Sequence, residues 1–294
     1  MRVVANLGVK DEVELIERAI AHLRSIGVDH IIVCDMYSTD GTAEILESYR
    51  SDVDFWVIQM RDQESQEAWV RTNLELVERA NADWVIFLDA DEFPIPASGS
   101  LKQCTALNHV DAIQVDRFNV PLCTGRPAMP RELTPDSYMD LLLVVDPIAE
   151  PEFWPRLERD PDLSWMRKQV MPRVMARPEK IEGLTLGTHD IVAHDQASLR
   201  RATADDLVVA HLPFTTRSRF ARKVDNIRAW LPVHDELLGA HSARHWRWWV
   251  ELADNGALDQ EFDRMSFSAE TTAELREKGV IRSAAEVFRE RSNR

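Results

Sequence analysis

The chain has 294 residues, enough for one large α/β domain or two small ones, and its 45% apolar content supports a sizeable core. A formal charge of -15 argues against a nucleic-acid partner, which needs a basic face, while leaving room for a local positive pocket. Three cysteines, Cys34, Cys104 and Cys123, have no CxxC spacing, so neither a zinc knot nor a disulfide scaffold is expected.

Residues 2–7 read as a short buried strand with no signal peptide before it, and no run approaches the roughly 18 apolar residues of a membrane span. A soluble, cytoplasmic protein without an integral membrane segment is therefore expected. Asp11 and Glu12 suit the first turn of a helix in which Val13, Ile16, Ile20, Leu23 and Ile26 recur at three- and four-residue steps, and Gly27 ends it. A second strand, 30–35, finishes on Asp35 and runs into a loop of turn formers, 36–42, where Asp40 or Thr42 can cap a helix over 43–49. A strand at 55–58 and an amphipathic helix at 64–80 follow, with Trp69, Leu74, Leu76 and Val77 toward the core.

Next comes Asp83-Trp84-Val85-Ile86-Phe87-Leu88-Asp89-Ala90-Asp91-Glu92-Phe93, an apolar strand that delivers Asp89 and Asp91 one residue apart, with Glu92 directly after. Clustered carboxylates at the end of a buried strand repel one another and resist desolvation. A divalent cation arriving with a phosphate-bearing ligand would relieve both costs. Strands alternating with helices predict β-α-β units and a largely parallel sheet, in which ligands bind beyond the carboxyl ends of strands. Asp35 and Asp89 both end strands and should face one crevice.

Beyond residue 93 the pattern loosens. A short helix is expected at 100–107 and a strand at 110–120. Residues 121–161 read as a long irregular segment around an apolar island at 141–145. A β-turn-β pair is expected at 181–195 and a strand at 207–211, after which helices dominate: 216–230, a Trp-rich one at 242–253, and charged ones to the terminus. The division expected is a nucleotide-binding domain over 1–214 and a helical C-terminal extension over 215–294.

Two loops carry a resemblance to a known family. "CDMYSTDGTAEIL" resembles the D-x-x-S-x-D-G-T signature after the second strand of family-2-like glycosyltransferases, and "DWVIFLDADEF" resembles their strand-plus-DxD metal motif in a bacterial DADEF subgroup. "KDEVELIERAIAHLRSIGVDHIIVCD" is similar to the subgroup's opening helix, with Asp11-Glu12 where an Asn-Glu pair usually stands. "HLPFTTRSRFARKVDN" resembles its His-aromatic-Arg-Ser-Phe-Lys element, and "RKQVMPRVMARPEKIEGLTLGTHD" a Lys…Arg-Pro…His run.

The resemblance implies a GT-A fold, a Rossmann-like half with a mostly parallel sheet flanked by helices. It also implies a hexosyltransferase-type enzyme that moves a sugar from a nucleoside-diphosphate sugar to an acceptor hydroxyl with inversion. The acceptor class stays open among glycan, lipid-linked and small-molecule hydroxyls. The donor-binding set it implies is Asp11, Glu12, Asp35, Ser38, Asp40, Asp89 and Ala90, with Asp35 on the base and Asp40 chiefly capping its own loop. The implied cofactor is Mn²⁺ or Mg²⁺ held by Asp91, with Asp89 on the metal through water or on the ribose, and Glu92 orienting the loop. A histidine completes such shells in many relatives: His189 is the first candidate, His211 the second, His194 a weaker third.

Arg71, Lys168, Arg173, Arg217 and Lys223 qualify by charge to neutralise a diphosphate. Trp246, Trp248 and Trp249 suit a helical core better than a sugar-stacking face. The resemblance implies an Asp or Glu base for the acceptor proton after the central region of the sheet, where Asp136, Asp140, Glu150 and Glu152 lie; none matches the usual acidic pair, and the base stays unassigned. A dehalogenase-type phosphatase is disfavoured, since Glu92-Phe93 stand where its motif needs Thr or Val. A nucleotidyltransferase needs a Gly-rich basic loop, of which Asn6–Lys10 is a poor version. A catalytically inactive sugar-nucleotide-binding or protein-interaction module on the same fold remains the main alternative.

Overall fold

The largely apolar run at the start of the chain forms β1 (Val3–Val9), whose residues are buried toward both sides of the sheet. Val3, Ala5, Leu7 and Val9 join the core under the first helix, while Val4 joins the opposite one. The structure is a computed structural model that describes residues 1–60, 66–125, 134–160, 162–238 and 243–293; side chains at 66, 67, 135, 136 and 235–238 fall outside that description.

From β1 the chain continues as α1 (Ile16–Ser25), β2 (His30–Asp35), α2 (Thr42–Ser48), β3 (Phe55–Gln59), α3 (Gln66–Arg79) and β4 (Trp84–Asp89). These are the alternating units expected. The middle of the chain adds β5 (Glu92–Pro96), β6 (Ala112–Asn119), β7 (Leu122–Cys123), α4 (Pro135–Met139), β8 (Leu142–Val144), α5 (Glu150–Arg159) and β9 (Arg173–Ala176). A hairpin of β10 (Ile181–Leu184) and β11 (Ile191–Ala193) precedes β12 (Arg201–His211). The last part holds α6 (Arg217–Leu238), α7 (Arg244–Asp254), α8 (Leu258–Met265), β13 (Ser266–Phe267), α9 (Ala269–Glu277), β14 (Ile281–Ser283) and α10 (Ala284–Arg291).

The main sheet has the order β3-β2-β1-β4-β9-β6-β12-β5. Its left half is parallel, β9 runs antiparallel between β4 and β6, and β5 pairs antiparallel with the outer edge of β12. The expected α/β architecture with a mostly parallel, helix-flanked sheet is present. One geometric consequence places the site. Four strand spacings of about 4.8 Å would separate β4 from β5 in a flat sheet, roughly 19 Å. Asp89 and Glu92 are three residues apart and can span at most about 11 Å. The sheet therefore curls, and Ala90-Asp91 crosses the mouth of the curl.

Four expectations need correction. α1 starts at Ile16, not near Asp11, because Asp11 sits at φ 54° and the chain reaches the helix through turns closed on the Glu12 carbonyl. The helix expected at 100–107 is two 3-10 turns, Leu101–Gln103 and Thr105–Asn108. The stretch read as irregular, 121–161, contains β7, α4, β8 and α5; Pro151 stands in the first turn of α5, where its missing N–H costs nothing, and Pro155 is tolerated one turn on. β9 went unexpected, and β12 extends six residues before its expected start at 207.

Residues of β8, α5 and the 164–168 turn share a second core with α6–α9, in which Trp165, Phe214, Phe220 and Trp249 meet edge to face. Trp246, Trp248 and Trp249 belong to this core. No helix among the described residues is long and apolar enough to cross a membrane.

Candidate metal and diphosphate site

Two loops at the carboxyl ends of β1 and β2 are laced together by short polar side chains. Asp35 is fully buried; its Oδ1 accepts from the Ser38 backbone N–H (3.1 Å) and hydroxyl (2.6 Å), and its Oδ2 from the Gln59 amide (2.7 Å). The Asp11 N–H donates to Ser38 Oγ at 2.8 Å, and Asp11 Oδ1 accepts from the Thr39 N–H at 2.6 Å. Asp40 accepts from the Thr42 N–H and hydroxyl and from the Val13 N–H, so it caps its own loop and ties it to the start of α1. Asp11 at φ 54° and Tyr37 at φ 56° are held in the left-handed region, where non-glycine residues are uncommon, and Gly41 at φ 103° lets α2 begin directly after the loop.

Glu12 joins these loops to the acidic centre. Arg219, fully buried in the first turn of α6, donates to both Glu12 oxygens at 2.7 Å, to the carbonyls of Leu212 and Pro213 at 3.0 Å, and to Asp91 Oδ2 at 3.1 Å. Lys223, four residues on and so on the same helix face, donates to the same Asp91 oxygen at 2.8 Å. Burial opposes the charge on Asp91, but Lys223 and Arg219 hold its carboxyl well below the usual carboxylate range.

The other carboxylates are held from the opposite side. Arg173, the first residue of β9 and wholly buried, pairs with Asp89 Oδ2 and, at 2.6 Å, with Glu92 Oε2. Its remaining guanidinium nitrogen donates to the Gly187 carbonyl at 2.5 Å and to Thr188 Oγ1 at 2.9 Å. That bond anchors a turn in which Thr188, a β-branched residue, is held at φ 56°. Arg117 pairs with Glu92 Oε1, and Glu92 Oε2 accepts from the Asp89 N–H at 2.9 Å. Burial would push the Glu92 carboxyl up, yet Arg173 and Arg117 bring it down to about 2.

His211 ends β12 in register with Glu92. Its Nδ1 lies 2.8 Å from Asn119 Oδ1. The Asn119 amide nitrogen donates to the carbonyls of Met166 (3.1 Å) and Lys168 (3.3 Å), which fixes the amide so that its oxygen faces the ring. His211 therefore carries its proton on Nδ1 and presents a lone pair on Nε2. Burial, with Arg117 and Lys223 nearby, lowers its pKa to about 3, so the ring is neutral at physiological pH.

Nε2 of His211 faces Oδ1 of Asp91 at 3.8 Å, beyond hydrogen-bond distance. Two ligands each roughly 2.1 Å from one cation stand about 3–4 Å apart, so this opening fits a divalent ion. Asp91, Glu92 and His211 form a cluster of possible ligands within 4.8 Å among the described residues. Glu92 already accepts from Arg117 and the Asp89 N–H and is ion-paired with Arg173; Asp91 Oδ1 and His211 Nε2 are the atoms still open to a cation.

The structure thus brings Asp11, Glu12, Asp35, Ser38 and Asp40 into one network and links it through Arg219 to Asp91. It does not bring Asp89 or His189 into the ligand cluster: Asp89 is engaged by Arg173, and His189 lies beside the Arg173 anchor, its pKa lowered to about 3 by burial and that arginine. Ala90 is buried in the crossing, and Glu92 supports the loop. Of the expected cations, Arg173 and Lys223 touch the carboxylates and Lys168 touches Glu150 at 3.0 Å. Arg217 faces Asp259 and Asp263. Glu152 pairs outward with Arg156, Asp140 is exposed, and the side chain of Asp136 lies outside the description. Arg117, Asn119 and Arg219 escaped the sequence reading; only the four-residue spacing of Arg219 and Lys223 could have pointed to the last. His245 was missed too. Its ring packs on Trp165 and Trp249 (centroids 5.6 and 5.1 Å), and its pKa is well below the ordinary value through burial and the nearby Lys168 and Lys223.

Residues 8–128 match the family described as Glycosyl transferase family 2. No curated protein matches the sequence. Among solved structures, S. aureus TarS 1–349 is similar at 15% identity and a TM-score of 0.42, over 82% of this chain and 66% of that one. The mannosyltransferase PcManGT from Pyrobaculum calidifontis, in complex with GDP-Man and Mn²⁺, is similar at 16% identity and a TM-score of 0.39, over 90% of this chain and 73% of that one. Glucosyl-3-phosphoglycerate synthase from Mycobacterium tuberculosis, with Mn²⁺, UDP and phosphoglyceric acid, is similar at 18% identity and a TM-score of 0.35, over 64% and 61%. This chain spans just under two thirds of the TarS 1–349 structure and 44% of a longer TarS structure.

Proposed function

We propose that this protein transfers a sugar from a nucleoside-diphosphate donor to an acceptor hydroxyl, with inversion, and that it needs a divalent cation. The observation that carries the reading is the opposition of Asp91 Oδ1 and His211 Nε2 at 3.8 Å, with the imidazole held in the right tautomer by Asn119, inside a family 2 domain. Mn²⁺ or Mg²⁺ would be held by these two side chains and would supply positive charge where the leaving diphosphate accumulates negative charge. Lys223 and Arg219 lie on the same carboxylate and add positive charge to that region.

The nucleoside would sit over the Asp11–Ser38–Asp35 network. Gln59 is an exposed side chain at the end of β3. A base N–H can replace its bond to Asp35 Oδ2 without disturbing the buried Ser38 bonds. Asp89, with its side chain half exposed on the Arg173 anchor, is the group to meet the ribose. On the acceptor side, Glu150 is the general base in this reading. It opens α5 with a half-exposed carboxylate held by Lys168, whose carbonyl accepts from the same Asn119 that orients His211.

The test is donor turnover with Mn²⁺ or Mg²⁺ across a panel of sugar nucleotides. Hydrolysis or transfer that is abolished in Asp91→Ala supports the reading. Absence of donor binding with metal present, or unchanged turnover in Asp91→Ala, rejects it. Donor binding without turnover would favour the inactive sugar-nucleotide-binding module.

A further inference from the structure

The charged groups of the site resolve into two quartets. In one, Asp91 and Glu12 meet Arg219 and Lys223. In the other, Asp89 and Glu92 meet Arg117 and Arg173. By formal charge each quartet sums to zero, two carboxylates against two cations. A site built to attract a free divalent cation keeps a surplus of negative charge, since that surplus offsets the loss of the ion's hydration. The quartets around Asp91 and Glu92 leave none: the charge a cation would seek on Asp91 is met by Lys223 at 2.8 Å and Arg219 at 3.1 Å.

The two cations are not equivalent. Arg219 is fully buried and fixed by three other acceptors: the Glu12 carboxylate and the carbonyls of Leu212 and Pro213. It cannot leave without unpairing them. Lys223 is partly exposed, bonds among the described residues to Asp91 alone, and carries a flexible stem. It is the group free to exchange.

We infer that Lys223, seated on Oδ2, neutralises the Asp91 carboxylate that the cation would approach at Oδ1, and that the cation enters only together with a diphosphate, to which the Lys223 ammonium then transfers. The inference rests on the metal-dependent reading above and adds the binding order and the residue that sets it. A cation alone would bring two uncompensated positive charges beside Lys223. A diphosphate arriving with it restores neutrality and gives Lys223 a new anionic partner. Binding of cation and diphosphate is then reciprocal: each raises the affinity for the other by the same factor. Lys223 is a positioning residue here, and its role is visible without turnover.

The experiment titrates Mn²⁺ by calorimetry, with electron paramagnetic resonance of free Mn²⁺ as a second readout. The protein is taken alone and saturated with UDP, GDP or inorganic pyrophosphate. For the wild type, affinity for Mn²⁺ alone should be weak and should rise at least about tenfold with a diphosphate. Lys223→Met should bind Mn²⁺ alone at least about tenfold more tightly than the wild type, with the diphosphate gain correspondingly reduced. Lys223→Arg, which keeps the charge, should behave as the wild type and controls for folding. If the wild type binds Mn²⁺ equally with and without diphosphate, or if Lys223→Met leaves Mn²⁺ affinity unchanged while Mn²⁺–diphosphate still binds, the inference is overturned and the proposed function stands. If no diphosphate binds with Mn²⁺ in any variant, both fall.

Discussion

Replacing Asn119 by leucine removes the group that sets the His211 tautomer while nearly preserving volume. Three hydrogen bonds are lost: His211 Nδ1 at 2.8 Å, the Met166 carbonyl at 3.1 Å and the Lys168 carbonyl at 3.3 Å. All are buried, and each orphaned partner costs about 1–3 kcal/mol, so with partial relaxation a total of roughly 2–4 kcal/mol of stability should go. The functional effect is separate. With Nδ1 released, the ring can place its proton on Nε2 or rotate, and losses of this kind typically lower metal affinity about 10–100-fold. Urea denaturation measures the first effect, and Mn²⁺ titration in the presence of UDP or GDP, well below the unfolding midpoint, measures the second. A variant that loses stability but binds Mn²⁺–diphosphate as tightly as the wild type would refute the role of His211 as a ligand oriented by Asn119.

Other perturbations give different signatures. Glu150→Gln should lower kcat by at least about 100-fold with donor KM within about twofold, as expected for a lost general base; a loss of only a few-fold would return the base to the unassigned acids. Arg173→Met removes the partner of two carboxylates, one of them fully buried, and should cost about 3–5 kcal/mol in urea denaturation, with Glu92 left on Arg117 alone. His22 is buried, its Nε2 donates to the Pro94 carbonyl at 2.7 Å, and burial lowers its pKa to about 4. Because the folded value lies below the unfolded one near 6.5, the unfolded chain binds the extra proton, and stability falls as pH drops below about 6.5. Between pH 7 and 5 this one residue should contribute about 2 kcal/mol of that loss, so His22→Gln should show a correspondingly shallower decline, and an unchanged decline would contradict it.

The donor half was legible because its signals are local. An apolar run ending in Asp89-Ala90-Asp91, and turn formers between β2 and α2, lie within a few residues of the atoms they position. The closing half was not, because its logic is long-range. β9 is four residues long and opens on a fully buried arginine, a residue type that reads as surface until its partners 84 and 81 positions earlier are known. α5 was hidden by Pro151 and Pro155, which mark irregular chain unless one of them falls in the first turn. His189 ranked above His211 on motif context, yet the pairing of β12 with β5 puts His211, and not His189, opposite Asp91. Asn119 carries no sequence signal, since its importance comes from three partners on two distant segments, the 164–168 turn and the end of β12.

The most direct measurement is anomalous diffraction at the manganese edge from crystals soaked with Mn²⁺ and UDP or GDP. A single strong peak bonded to Asp91 Oδ1 and His211 Nε2, with the diphosphate on its far side and Lys223 drawn off Asp91, is the expected result. A peak ligated by Asp89 or His189 without Asp91, or a bound diphosphate with Lys223 still on Asp91 and no manganese between Asp91 and His211, would contradict it.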